Sequence, residues 1–285
     1  MKFSKKSFFF FSFWLLFCLP WLVIFFWPGQ RAEFIACRVG QGDALLITQG
    51  FTQVLIDGGP NNQVLNCLAE NMPFWDRQIE MVINTHPDAD HITGLVEVLN
   101  RYQVETLISN SLEVDSLVFQ DFKKKVWEKG ISVYSPQKGD LLQAGELELK
   151  VLWPEEKIGD ASLWQKEGSG EKVLGKKIES NQASIVLHWQ KGDFDALLTG
   201  DITAKEEKQL IKDNQFQGIE LLKVAHHGSK YSSCQEFLEA VRPQIAVISV
   251  GKNPWGHPTE EVLQRLQAVG SRIFRTDENK VKIRI

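Results

Sequence analysis

The sequence predicts an α/β fold in which two mixed β-sheets pack face to face with helices on their outer sides, an αββα sandwich. Three observations lead there. Short β-rich segments bounded by Gly and polar turn residues recur along the chain, and helical segments follow them in each half. The second half repeats this order without repeating the sequence. The polar clusters fall at strand ends, where folds of this class keep their sites. With 285 residues and 43% hydrophobic content the chain can bury one large core, and no linker-like stretch or internal repeat divides it.

The first segment stands apart. Residues 8–27, FFFFSFWLLFCLPWLVIFFW, carry no charge and are long enough to cross a hydrocarbon core as one helix. Lys2, Lys5 and Lys6 precede this run and hold that end in the cytoplasm, so the rest is expected outside. A cleaved export signal has a similar pattern, but its apolar run is shorter, and Phe25-Phe26-Trp27-Pro28 offers no pair of small residues for cleavage. Residues 1–30 are therefore read as an anchor and 31–285 as one exported domain. Cleavage would make the domain secreted instead.

Strands are predicted at 34–39, 44–48 and 52–57, a helix at 63–70, and the apolar strand 81–84 running into a charged loop at 85–91. Helix, strand and helix follow at 92–102, 104–108 and 116–129, then short strands over 131–153. Residues 154–180, rich in Glu, Lys and Gly, read as a solvated insertion. In the second half strands are expected at 184–188 and 195–199, a helix at 203–214 and a strand at 221–224. A helix at 233–241, a strand at 245–250 and a helix at 259–268 follow, and the chain ends in strands at 272–274 and 281–285.

Charge narrows the function classes. The chain has 32 basic and 36 acidic residues; without the three leading lysines it has 29 against 36, near −7. That excludes a binder relying on a broad positive surface, but not an enzyme whose bound cations supply local positive charge. Cys37, Cys67 and Cys234 are odd in number and widely spaced, with no C-x-x-C pair. They read as buried small apolar side chains, with a disulfide between two of them left open.

The run Thr85-His86-Pro87-Asp88-Ala89-Asp90-His91 places four candidate metal ligands within six residues. Imidazoles and carboxylates are what a hydrolytic divalent ion uses. Helix capping by Asp90 would account for one of the aspartates, not for the others in register. Further polar groups end other strands: Asp57 in Ile56-Asp57-Gly58-Gly59, Asp201 in Thr199-Gly200-Asp201, and the pair in Ala225-His226-His227-Gly228. His257 in Gly256-His257-Pro258 opens the late helix, while His188 reads as an ordinary strand residue. Val39-Gly40-Gln41-Gly42-Asp43 is glycine-rich and reads equally as a hairpin turn or as backbone lying close to a substrate.

The H-x-D-x-D-H run with Gly200-Asp201 and His226 resembles the metallo-β-lactamase fold superfamily, which usually has a second histidine where this chain has Asp88. More closely, the motifs at 39–43, 56–59, 86–91, 198–201, 224–229 and 256–258, with Arg275-Thr276-Asp277, resemble the hydrolase domain of the ComEC DNA-uptake family. The similarity covers about 33–285, in the family's order. It implies two divalent metal ions, Mn²⁺ or Zn²⁺, with His86, Asp88, Asp90, His91 and His226 as ligands and Asp201 bridging. The superfamily's middle histidine has no match, and Asn181 or Ser184 occupies about that place. Asp57 would orient the His86 loop, Asp90 would be essential to catalysis, and His227 or His257 would complete a metal site or contact the substrate.

The implied function is hydrolysis of extracytoplasmic DNA, and the intact ligand set argues against a non-catalytic module. Single-stranded DNA is the expected substrate. ComEC proteins carry many membrane spans that form a channel, so this domain is expected to serve a separate channel protein or to act alone. The alternatives are an envelope hydrolase for a small ester, lactone or phosphodiester, and a binding module without activity.

Overall fold

The computed structural model describes residues 29–159, 164, 179–216 and 218–285. The predicted membrane span at 8–27 and most of the insertion lie outside them. No described helix is long and apolar enough to cross a membrane.

Two seven-stranded sheets face one another. The first contains β1 (Glu33–Ala36), β2 (Leu45–Gln49), β3 (Thr52–Ile56), β4 (Gln78–Asn84), β5 (Gln103–Ser109), β6 (Ser132–Tyr134) and the last strand, β14 (Val281–Arg284). The second contains β7 (Leu141–Ala144), β8 (Leu147–Trp153), β9 (Val186–Lys191), β10 (Phe194–Leu198), β11 (Leu221–Lys223), β12 (Ile245–Ile248) and β13 (Arg272–Arg275). The strand orders are β14-β1-β2-β3-β4-β5-β6 and β13-β12-β11-β10-β9-β8-β7. Each sheet runs antiparallel first and parallel afterwards: β3–β4–β5–β6 in one and β10–β11–β12–β13 in the other. Parallel neighbours require crossovers, and six helices supply them: α1 (Gln63–Asn71), α2 (Ala89–Arg101), α3 (Leu117–Glu128), α4 (Ala204–Asp213), α5 (Gln235–Val241) and α6 (Glu260–Ala268).

Strand alternation builds the layers. In β2 and β3, Leu45, Ile47, Val54 and Ile56 point into the cluster between the sheets, while Leu46 and Leu55 face the outer helices. In β10, Ala196 and Leu198 point inward and Leu197 outward onto α4 and α5. A strand buried on both faces loses the polar alternation of a surface strand, which is why these segments read as near-continuous apolar runs.

Three expectations are corrected. Cys37 and Cys67 form a disulfide, whereas Cys234 is free and buried. The bond ties the end of β1 to α1, two places whose proximity only the tertiary fold creates. The insertion is not wholly solvated: Trp164 is buried edge-on against Phe119 and Phe122 of α3. Helix α2 begins at Ala89 rather than 92, with Asp88 at its N-cap position and no side-chain cap bond. Asp90 therefore sits in the first turn and is not the cap.

Glu207 on α4 is buried and accepts the backbone N–H groups of Ser233 and Cys234. Burial outweighs those bonds and pushes its carboxyl up to about 7. An unfolded chain releases this proton near its ordinary value of 4.5, so between there and about 7 the native state holds an extra proton. Glu207 is thus expected to make stability fall by up to roughly 3 kcal/mol as pH rises through that window, with no further loss above it. Urea unfolding at pH 5 and pH 8, compared with a Glu207→Gln variant, checks this. An equal pH slope in both proteins would remove Glu207 as the cause.

Candidate metal centre

The parallel strands of both sheets end at one edge, and their loops meet there. Asp57 follows β3, the His86–Asp90 loop follows β4, Asp201 follows β10, and His226-His227 follow β11. Asp57 is a non-glycine residue with φ of 58°, and His226 and His227 have φ of 50° and 53°. Such left-handed backbone costs on the order of 1–3 kcal/mol per residue and collects at functional sites.

Hydrogen bonds settle which ring nitrogen of each histidine is free. Asp57 accepts the Thr85 N–H at 2.8 Å and the Thr85 hydroxyl at 2.7 Å. The hydroxyl proton being committed, Thr85 Oγ1 accepts from His86 Nδ1 at 3.0 Å. The same carboxylate accepts from His91 Nδ1 at 2.8 Å, and the Ser249 carbonyl accepts from His227 Nδ1 at 2.9 Å. All three rings therefore commit Nδ1–H to a neighbour and turn Nε2 towards the cluster as the atom a metal ion would take. Each of those Nε2 atoms is buried without a hydrogen-bond partner.

The three Nε2 atoms converge on Asp201. Its Oδ2 lies 4.0, 3.4 and 3.3 Å from Nε2 of His86, His91 and His227. Asp88 Oδ2 is 3.6 Å from His86 Nε2, and Asp90 Oδ2 is 3.9 Å from His91 Nε2 and 3.2 Å from His227 Nε2. Ligands on a tetrahedral ion with bonds of about 2.1 Å stand about 3.4 Å apart, so the donors fit a divalent ion. Four overlapping sets form among the described residues: His86 with His91 and Asp201, Asp90 with His91 and His227, Asp43 with Asp57 and His91, and Asp43 with Asp201 and His227.

Residues 37–252 match the family model of the metallo-beta-lactamase superfamily. The chain belongs to that superfamily. Among relatives, it is 30% identical to ComE operon protein 3 of Bacillus subtilis, over 92% of this chain and 34% of the relative. Competence protein ComA of Neisseria gonorrhoeae is 41% identical over 106 residues, 36% of this chain and 15% of that one. The chain thus spans about a third or less of their length. The metallo-β-lactamase fold protein YhfI of Bacillus subtilis superposes with a TM-score of 0.56 at 11% identity, covering 90% of this chain and all of that one. The chain is thus similar in sequence to competence proteins.

The structure brings His86, Asp88, Asp90, His91 and Asp201 together, and His227, one of the two histidines expected to complete a metal site or contact the substrate, stands where the resemblance placed His226. His226 turns outward, half-buried, with its Nδ1 3.5 Å from Asn181 Nδ2 and its ring 5.7 Å from that of His257. Ser184 Oγ accepts the Asp201 N–H at 3.1 Å, so it supports the aspartate's backbone. His188 pairs with Asp195 across β9 and β10, away from the cluster.

Two participants escaped the sequence reading. Lys223, fully buried at the end of β11, lies 2.5 Å from Asp43 and 3.8 Å from Asp201 Oδ1. It places its charge beside the far oxygen of Asp201 without hydrogen-bonding it, while Oδ2 faces the histidines. A lysine inside the apolar run Leu221-Leu222-Lys223-Val224 was the available signal. Asp43 also lies 3.5 Å from His227 Nδ1. The glycine loop before it does join antiparallel β1 and β2, but its close approach is to the protein itself. A Cβ on Gly42 would lie 2.1 Å from the Asp90 carbonyl oxygen.

Electrostatics follow the geometry. Burial alone would depress His91 and His227; Asp201, with Asp57 for the first and Asp43 for the second, overcomes it and raises both well above the ordinary histidine range. Burial would raise Asp201, yet His227 and His91 hold it well below the usual carboxylate range. Asp88 is lowered to about 2, the His86 ring outweighing its burial. Five carboxylates, Asp43, Asp57, Asp88, Asp90 and Asp201, share this cluster with one lysine, a field that holds protons and that a divalent cation would satisfy in their place.

Proposed function

We propose that this chain is a metal-dependent phosphodiesterase that cleaves single-stranded DNA outside the cytoplasm. The observation that carries the reading is the convergence of three unpaired imidazole Nε2 atoms on Asp201. In this reading His86, Asp88 and Asp201 hold one divalent ion, Mn²⁺ or Zn²⁺, and Asp90, His91, His227 and Asp201 hold a second. When bound, such ions supply Lewis-acid polarisation of phosphate oxygens and make a water acidic near neutral pH.

The chain's own residues do the rest. Asp57 fixes the His91 ring directly and the His86 ring through the Thr85 hydroxyl. Lys223 sets a positive charge 3.8 Å from Asp201 Oδ1. His226 and His257, on the open side of the cluster, offer ring N–H groups to the non-bridging oxygens of a phosphodiester. The likeness to ComE operon protein 3 and Competence protein ComA supports DNA as substrate and a partnership with a separate channel protein. The Cys37–Cys67 disulfide supports an oxidising compartment, in keeping with residues 8–27 as a membrane anchor.

The test is incubation of the purified domain with end-labelled single-stranded DNA and Mn²⁺, beside duplex DNA, lactone and ester substrates. Fragments from the single strand, faster than from the duplex and abolished by chelator, are expected. Turnover of the lactone or ester with intact DNA would replace this reading with the small-molecule one.

A further inference from the structure

We propose that Trp255 is a stacking platform for a nucleobase, holding the strand of a single-stranded substrate that leads away from the metal centre. This deepens the nuclease reading and rests on it for the identity of the occupant.

A line of rings runs from the centre to the surface. The ring of His227 lies 6.1 Å from that of His226, His226 lies 5.7 Å from His257, and His257 lies 6.3 Å from Trp255. The first two pairs meet edge to face, but Trp255 and His257 are tilted by just 30° and so are nearly parallel. Trp255 is 63% exposed, so its indole offers an open face at the end of the line. Base stacking on such rings is a general means of holding single strands.

The loop carrying the ring is fixed. Asn253 accepts the N–H groups of Trp255 and His257 and donates to the carbonyls of Gly251 and His257. Its Gly251 end packs against the Gly40–Gln41 backbone. Its other end is joined to the histidine turn, where Thr259 donates to the Gly228 carbonyl. A platform held this way loses little entropy on binding. Charge agrees: the segment Lys252-Asn253-Pro254-Trp255-Gly256-His257-Pro258 has no acidic residue, and its Lys252 is exposed. A strand with one phosphate at the metal centre would have its next bases along this line of rings.

The experiment compares wild type, Trp255→Ala, Trp255→Phe and Trp127→Ala. Trp127 is an exposed tryptophan on the outer helix α3, and it serves as the control. Binding of a fluorescein-labelled oligothymidylate is followed by anisotropy, with Ca²⁺ in place of an activating ion and again with chelator. Hydrolysis of bis(p-nitrophenyl) phosphate, which has no strand leading away from its phosphate, is measured beside it. Trp255→Ala is expected to raise the oligonucleotide Kd by about tenfold, Trp255→Phe by much less, and Trp127→Ala not at all. Hydrolysis of the small diester should be unchanged in all three. An unaltered Kd in Trp255→Ala overturns the platform, and so does a parallel fall on the small diester, which would mean that Trp255 merely shapes His257. Tight oligonucleotide binding that depends on Trp255 without any cleavage would instead sink the nuclease reading and leave the platform standing.

Discussion

Asp90→Ala is expected to lower hydrolysis by about a thousandfold or more while leaving the fold in place. Asp90 Oδ2 stands 3.2 Å from His227 Nε2 and 3.9 Å from His91 Nε2, so its loss removes one donor from a set that no neighbour can replace. Losing even a supporting partner of a metal ligand typically costs 10–100-fold in affinity, and a ligand itself should cost at least that much. The fold should tolerate the change because the Asp90 side chain is one-third exposed and its backbone lies in the first turn of α2. What stability it contributes there is the favourable placement of a negative charge at a helix N-terminus, about 0.3–1 kcal/mol. Its removal also relieves the repulsion from Asp201 that opposes the depression of its own carboxyl. Metal content by elemental analysis, turnover and melting temperature should be read on one preparation. Wild-type turnover would remove Asp90 from the mechanism, and a collapsed melting temperature would show that the loop supports the core.

The contrast between Asp90 and Lys223 shows what a sequence discloses. His86, Asp88, Asp90 and His91 lie in one loop, so local spacing suffices to suggest that they act together. Asp201 was visible because a Gly-Asp ends an apolar strand. Lys223 and Asp43 meet across the two sheets, 180 positions apart, and no local pattern encodes that pair. The choice between His226 and His227 is subtler. Adjacent residues in left-handed backbone send their rings to different sides, and the turn between β11 and α5 decides which one reaches Asp201. The two sheets and their outer helices were legible because buried strands are apolar on both faces and end at turns. The return of β14 to pair with β1, and the bond between Cys37 and Cys67, were not, since each joins segments that only the folded chain brings together.

Mn²⁺ is expected to restore more phosphodiesterase activity to the metal-free protein than Zn²⁺ does, even though Zn²⁺ binds more tightly. Three carboxylates, Asp88, Asp90 and Asp201, and three imidazoles, His86, His91 and His227, make up the donors, and the one free cysteine among the described residues lies elsewhere. Oxygen donors suit harder ions of higher coordination number, whereas affinity alone follows an order that favours Zn²⁺. Asp88 decides the balance. Where the superfamily usually places a histidine, this carboxylate stands 3.6 Å from His86 Nε2, 41% exposed, and stays ionised down to about pH 2. Asp88→His exchanges an oxygen for a nitrogen at the more open of the two positions, where Asn181 and Ser184 supply no third imidazole. The variant should therefore gain activity with Zn²⁺ relative to Mn²⁺, with the Asp90, His91 and His227 set unaffected. Affinity must be titrated beside turnover, because a tightly bound ion that fails to activate is the outcome expected for Zn²⁺ in the wild type. Full activity with Zn²⁺ and none with Mn²⁺ would show that donor hardness does not govern this centre. An unchanged preference in Asp88→His would show that Asp88 is not the residue through which it acts.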